Sequence, residues 1–324
     1  MMHSFHLLGS SPAFAQTRLQ IEKTAKVDAT VLIEGETGTG KEMAARAIHY
    51  LGTRRDRPFV PVNCGALAEA LVESELFGHE RGAFTDAKSA SLGLVQEAGG
   101  GTLFLDEIDA LSPKAQAALL RFLQDGTYRR VGGSATRQGD VRVVVASNAN
   151  LQELADTRRF RKDLLYRINV LSVRMPALRE RGDDAIELAR VFLGRLAHQY
   201  ERPPLRLAPA SVAFIRSHPW PGNVRELENV VHRAVLLSEG TDIDMASAAG
   251  CSGGQGLPSA ITPQGFRDAK ARAVGSFERQ YLSDLLDRTQ GNLSQAAVLA
   301  AKDRSALGRL VRKHGLRHAQ EPSA

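Results

Sequence analysis

Cysteine is nearly missing from this 324-residue chain: Cys64 and Cys251 stand alone and far apart. That argues against a disulfide framework or a cysteine metal site, and it fits a reducing compartment. No apolar run approaches the roughly 18 residues that a membrane span needs. The opening MMHSFHLLGSSPAFA has no basic stretch leading into a long apolar one, so no signal peptide is expected. No internal repeat and no long low-complexity tract is visible. A cytoplasmic protein without a membrane partner is expected. With 43% hydrophobic and 24% charged residues the chain reads as packed and globular. Its length suits two or three domains.

Charge is unevenly spread. The chain has a net charge of +6, yet residues 262–324 hold 11 Lys/Arg against 6 Asp/Glu. Nearly all the excess is therefore C-terminal, where it favours a polyanion partner; a solvated basic helical surface is the plainer alternative.

From Asp28 to about Arg174, apolar runs alternate with helical stretches. VLIEG (31–35), FVPVN (59–63), GTLFLDE (101–107) and VRVVVASN (141–148) read as buried strands. KEMAARAIHYL (41–51) reads as a helix. Short apolar runs separated by helices indicate a parallel sheet covered on both faces. From about Pro176 to Glu239 apolar residues recur every three or four positions, which predicts helices. Residues 240–262, rich in Gly, Ser and Ala, read as a flexible linker. A last helical module follows from about Phe266 to His318.

VLIEGETGTGKE sets a Gly-rich turn between a strand and a helix. The spacing is that of a phosphate-binding loop, with Gly35, Glu36, Thr37, Gly38, Thr39, Gly40, Lys41 and Glu42 as its members. The glycines let backbone N–H groups converge on a phosphate, the helix N-terminus adds its dipole, and Lys41 supplies positive charge. Glu42 stands where Ser or Thr usually helps to hold magnesium, so Thr39, a water or another group must assist. The strand GGGTLFLDE ends in Asp106 and Glu107, at the sheet edge where ligands sit. Asp106 is placed to orient Mg²⁺, and Glu107 to polarise the water that attacks the γ-phosphate of ATP. Alone, two strand-end carboxylates would serve equally as a cap or surface charge.

GETGTGKE, GHERGAFTDA, GGGTLFLDEID, FRKDLLYRINV, LRERGDD and WPGNVRELEN follow one another in order. Together they resemble the AAA+ domain of bacterial enhancer-binding proteins, the ATP-driven activators of sigma-54 RNA polymerase. The resemblance covers roughly residues 5–240. It implies an α/β fold: an AAA+ P-loop parallel sheet (1–174) with a helical lid subdomain (175–239). After the linker it implies an all-α, Fis-like helix-turn-helix DNA-binding domain (263–324). It also implies roles. Asn63 couples the catalytic Glu to the nucleotide state, or simply caps a turn. Asn148 matches the sensor I position and Arg225 the sensor II arginine. Arg161 and Arg167 match arginine fingers, which act across a subunit boundary, so the family implies a homo-hexameric ring.

The same resemblance explains GHERGAFTDA, a stretch with no helical or strand period. In the family the corresponding loop contacts sigma-54. Gly82, Ala83, Phe84, Thr85, Asp86 and Ala87 are the residues concerned, with Phe84 and Thr85 as a tip presented to the partner. Asp86 stands where the family has Gly, and a charge there bears on sigma-54 contact.

In the tail, FERQYLSDLLDRT, GNLSQAAVLAA and KDRSALGRLVRKHGL read as three helices, with Asn292 or Ser294 as N-cap of the second and Gly315 as a stop after the third. Arg304, Ser305 and Arg309 are candidates for base contacts in double-stranded enhancer DNA, and Arg312 and Lys313 for phosphates. Ala301 and Lys302 depart from the family's turn, and a small dimerisation bundle is the plainer reading of the module. With the phosphate loop already at Gly35, no receiver or sensing domain is expected ahead of it. Two other functions share these motifs: a DNA-binding regulator that uses ATP only to oligomerise, and a remodelling ATPase that works away from DNA.

Overall fold

Buried β-branched and aliphatic runs build the centre of a five-stranded parallel sheet. In the computed structural model the described residues are 7–68, 71–84 and 87–250, with 282, 285–286, 289, 292–300, 304, 307–308 and 311. They belong to two units, Met1–Gly250 and Cys251–Ala324. The first begins with α1 (Pro12–Ala25), β1 (Val31–Glu34), α2 (Lys41–Tyr50) and β2 (Phe59–Asn63). Next come α3 (Val72–Phe77), α4 (Leu94–Glu97), β3 (Thr102–Asp106), α5 (Pro113–Asp125), β4 (Thr127–Arg129) and β5 (Thr136–Gln138). β6 (Arg142–Ser147), α6 (Leu151–Asp156), α7 (Lys162–Ile168) and β7 (Leu171–Arg174) complete the core. The sheet order is β2-β3-β6-β1-β7.

Side chains alternate across this sheet with the period of two that strands impose. Val31 and Ile33 of β1, Phe104 of β3, and Val144 and Ala146 of β6 pack on one face with α1 and α2. Leu32, Leu103, Leu105, Val143 and Val145 pack on the other, against α3, α5, α6 and α7. β7 was not expected as a strand. Its LSVR buries Val173 fully and pairs only with β1, so the apolar run that marks the central strands is absent. The antiparallel β4–β5 hairpin is equally polar and was also missed.

His49 of α2 lies inside this core, 1% exposed, with Nδ1 2.9 Å from Thr102 Oγ1 and Nε2 buried without a hydrogen-bond partner among the described residues. Burial holds the imidazole below its usual 6.5. The unfolded chain therefore takes up a proton that the folded one resists. Stability from this site is full above the ordinary imidazole value and declines as pH falls through and below it. The thermal midpoint should drop between about pH 7.5 and about pH 5.5, and His49→Gln should flatten that part of the profile.

The lid follows: α8 (Asp184–Gln199), β8 (Arg206–Leu207), α9 (Pro209–Ser217), α10 (Asn223–Leu237), β9 (Asp242–Ile243) and α11 (Met245–Gly250). α8, α9 and α10 close around Leu193, Ile215, Trp220, Leu227 and Val231. Trp220, the one tryptophan, satisfies its indole N–H on Ile215 O at 2.9 Å. The expected linker begins inside this subdomain. Ile243 and Met245 are fully buried in the lid core, and β9 pairs with β8. Two large side chains, each contributing about 1.5–3 kcal/mol on burial, anchor a stretch whose composition reads as loose.

In the second unit, Leu282, Leu285, Leu286, Ala296, Ala297, Leu307 and Val311 form a small core. α12 (Leu293–Leu299) is capped by Asn292, whose Oδ1 accepts from Gln295 N at 3.2 Å. Arg304 is helical and exposed. Ser305, Arg309, Arg312 and Lys313, like Ala301, Lys302 and Gly315, lie outside the described residues.

Candidate nucleotide site

The carboxyl ends of β1, β3 and β6 and the start of α2 open into a cavity of about 860 Å³ that the lid closes. Thr37, Gly38, Gly40, Lys41 and Glu42 line it from the loop, and Asn63, Asp106, Glu107 and Asn148 from the strand ends. Arg225 reaches it from α10. Leu188, Val191 and Phe192 of α8, Val224 of α10 and Leu8 give it an apolar wall. Leu8 is held by a buried ion pair. Asp184 accepts from Ser10 N and Ser11 N at 2.8 Å each, and Arg181, 3.0 Å from Asp184, donates to the Leu8 carbonyl.

Lys41 is 8% exposed, and its ammonium donates to the Gly35 and Glu36 carbonyls at 2.8 and 3.2 Å. Burial lowers its pKa, while Asp106, Asp109 and Glu107 pull it back. Thr39 is buried and donates to Glu36 O at 2.8 Å. Glu42 pairs with Arg46 one turn along α2, at 2.8 Å. Glu36 turns away from the cavity. It takes hydrogen bonds from Arg179 and Asn223 of the lid, which hold its carboxyl down at about 2.

Asp106 Oδ1 accepts from Glu107 N at 3.0 Å. Glu107 sits at φ +53°, a left-handed conformation that a side chain of this size rarely adopts, so surrounding structure must hold it there. Gly65 permits the carboxylate's position: a Cβ on Gly65 would collide with Glu107 Oε2. Asn63 uses its Oδ1 to cap the turn after β2, accepting from Gly65 N at 2.8 Å and Ala66 N at 3.2 Å. The turn-capping role is thus present, and it sets Gly65 beneath Glu107. Asn148 donates to Thr37 Oγ1 at 3.0 Å, which ties β6 to the loop. Sequence reasoning missed Asp109, whose Oδ1 accepts from Ser147 Oγ at 2.6 Å beside Asn148. It also missed Arg195 and Glu228, paired with each other on the lid wall.

Among the described residues, no three His, Cys, Asp or Glu side chains cluster to hold a metal by themselves. Asp106 and Glu107 do offer hard oxygen donors in the cavity, whereas Thr39, expected to assist, is buried and spends its hydroxyl on Glu36 O. The two carboxylates suit Mg²⁺, which uses one or two carboxylates together with waters and substrate phosphates.

Arg161 and Arg167 are not brought to this cavity. Arg161 forks onto Asp163 at 3.0 and 2.7 Å, and Arg167 donates to Leu123 O at 2.9 Å; both are exposed.

The GHERGAFTDA loop lies elsewhere again. Gly82 N donates to Ala87 O, and Ala87 N to Phe84 O, at 2.9 Å each. Phe84 is half-buried, with its ring edge-on to His79 at 5.0 Å between centroids, so it is less presented than the sequence suggests. Ala87 is buried, and Thr85 and Asp86 lie outside the described residues.

A family described as "Sigma-54 interaction domain" matches residues 7–174, and one described as "AAA+ ATPase lid domain" matches residues 179–248. The chain belongs to the sigma-54 activator family of AAA+ proteins. It is 49% identical over 246 residues to the Nif-specific regulatory protein of Azotobacter vinelandii, covering 75% of this chain and 47% of that one. It is 38% identical over 317 residues to regulatory protein AtoC of Escherichia coli, covering 96% and 68%. The chain thus spans about half to two thirds of the length of such relatives. Among solved structures, NtrX from Brucella abortus superposes with a TM-score of 0.73 at 34% identity, over 96% of this chain and 69% of that one. NtrX has also been solved in complex with ADP and with ATP. A parallel-sheet AAA+ core with a helical lid is therefore common to the sequence reading, the structure and the family. No described helix is long and apolar enough to cross a membrane.

Proposed function

We propose that the chain is an ATP-hydrolysing activator of sigma-54 RNA polymerase, which binds enhancer DNA and remodels the closed promoter complex. One observation carries the reading: Lys41, Asp106, Glu107 and Asn148 of a sigma-54 interaction domain and Arg225 of its AAA+ lid converge on one cavity. Within it, Lys41 and the loop N–H groups bind the ATP phosphates, Asp106 orients Mg²⁺, and Glu107 holds the attacking water. Mg²⁺ supplies charge neutralisation on the phosphates when bound. Asn148 reads the γ-phosphate and Asn63 relays the state of Glu107. Arg225 answers from the lid.

Arg161 and Arg167, outside their own chain's cavity, serve the neighbour's site in a homo-hexameric ring. The loop from Gly82 to Ala87, with Phe84 and Thr85 as its tip and Asp86 next in sequence, meets sigma-54. The basic tail forms a helix-turn-helix that reads double-stranded DNA through Arg304, Ser305 and Arg309 and holds phosphates through Arg312 and Lys313. A soluble, cytoplasmic setting completes the reading.

ATP-dependent open-complex formation on a sigma-54 promoter is the deciding measurement, run with the chain as it stands and with Asp86→Gly. Melting should require ATP, and salt-sensitive binding to the enhancer fragment should vanish when residues 262–324 are deleted. A protein that hydrolyses ATP and binds DNA yet never opens such a promoter would instead be a regulator that uses ATP only to assemble. Asp86 is the observation that keeps this second reading in view.

A further inference from the structure

Asn223, the first residue of α10, is fully buried and left-handed at φ +53°. Its side chain joins three parts of the molecule. Oδ1 accepts from Leu178 N at 2.8 Å, at the entrance to the lid. Nδ2 donates to Glu36 Oε2 at 3.1 Å and to Thr37 O at 3.0 Å, both in the phosphate loop. The next residue continues the contact, as Val224 N donates to Gly38 O at 3.0 Å. Gly38, at φ +80°, admits this approach because a Cβ there would collide with the Gly222 carbonyl. Arg179 holds the remaining face of Glu36.

Three consecutive loop residues are therefore gripped by one corner of the lid. In a trans peptide, the C=O of one residue and the N–H of the next point in opposite directions within one plane. Fixing the Thr37 and Gly38 carbonyls fixes the Gly38 and Thr39 N–H groups, the second of which here also donates to Glu36 O at 3.4 Å. An Asn amide supplies both donor and acceptor, which this position uses; a carboxylate of the same size supplies acceptors only.

We propose that Asn223 is a positioning residue for the phosphate loop: it ties the lid to Glu36 and Thr37 and so sets the N–H directions that receive the nucleotide. The assignment rests on residues 35–42 binding ATP. The experiment uses all 324 residues, a fluorescent ADP analogue and steady-state ATP hydrolysis. N223D keeps the size and tolerates the left-handed backbone, but it sets a carboxylate against Glu36 and Thr37 O. It should weaken ADP binding and raise KM for ATP by about tenfold, with kcat at saturating ATP within about threefold of the parent. Adding E36Q supplies an N–H donor facing the new carboxylate at one of its two broken contacts and should recover part of that loss, which a role in folding alone would not do.

N223G relieves the backbone strain. It serves should N223D fail to fold, and it should raise KM in the same way. Parental affinity in N223D and N223G, or a loss in N223D that E36Q leaves untouched, overturns the proposal. K41A separates the two levels. If K41A binds ADP normally, the phosphate-loop reading itself falls; if K41A loses binding and N223D does not, only the lid tie falls.

Discussion

Glu107→Gln protein should bind ATP about as well as the parent and hydrolyse it more slowly by a factor on the order of 10²–10⁴. That factor corresponds to roughly 3–5 kcal/mol of barrier, the contribution expected of a positioned base. The carboxylate stands at the end of β3, in the cavity with Lys41. Its left-handed backbone directs the side chain and the bare Gly65 beneath it leaves room for the oxygens. Gln keeps the shape and tolerates the same backbone no worse, so binding should survive while proton acceptance is lost. The variant should also hold its polymerase-bound state, because ATP stays uncut. Single-turnover hydrolysis alongside nucleotide binding checks both halves, and normal turnover in this variant would remove Glu107 from its role.

Arg161→Ala and Arg167→Ala carry the second large expectation. A finger supplied in trans contributes on the order of 10³–10⁵ in rate, or about 4–7 kcal/mol. Each single variant should hydrolyse ATP far more slowly than the parent at any protein concentration. Mixing either with Glu107→Gln subunits should restore part of the activity, since each subunit brings the group the other lacks. The two arginines should differ in one respect. Arg167 also bonds the last carbonyls of α5 at Leu123 and Gln124, at 2.9 and 3.4 Å. Its loss removes a cation from a helix C-terminus, typically about 0.3–1 kcal/mol, so a slightly lower thermal midpoint is expected for Arg167→Ala. Among the described residues, the Arg161 guanidinium has only Asp163 to leave. Parental turnover in a fully folded single variant would exclude that residue as a finger.

Much of the nucleotide site was legible because its signals are local. An apolar run followed by a Gly-rich turn and a lysine specifies strand, loop and helix within a dozen positions. Asp106 and Glu107 end another such run. What could not be read is long-range. Arg179 meets Glu36, and Asn223 meets Thr37, across most of the subunit's sequence. LRERGDD and WPGNVRELEN were recognised as motifs, yet only Arg225 received a role from them. Nothing in their spacing says that Asn223 turns inward.

Composition misled in two places for a physical reason. Residues 241–250 look flexible because they are small, but burial of Ile243 and Met245 suffices to dock them. β7 looks irregular because it is a sheet edge, with a single fully buried side chain. The setting of Phe84 depends on His79, five residues earlier in a stretch with no periodicity, so an exposed tip was the natural expectation and a half-buried ring is the outcome.

That ring contact bears on how the loop would change hands. Aromatic pairs of this kind are worth about 0.5–1.5 kcal/mol beyond the area they cover. A partner that takes Phe84 exchanges one aromatic or apolar neighbour for another, so the swap is close to isoenergetic. The grip would then be weak in either position and quick to reverse, and whatever sets its direction must come from elsewhere in the molecule.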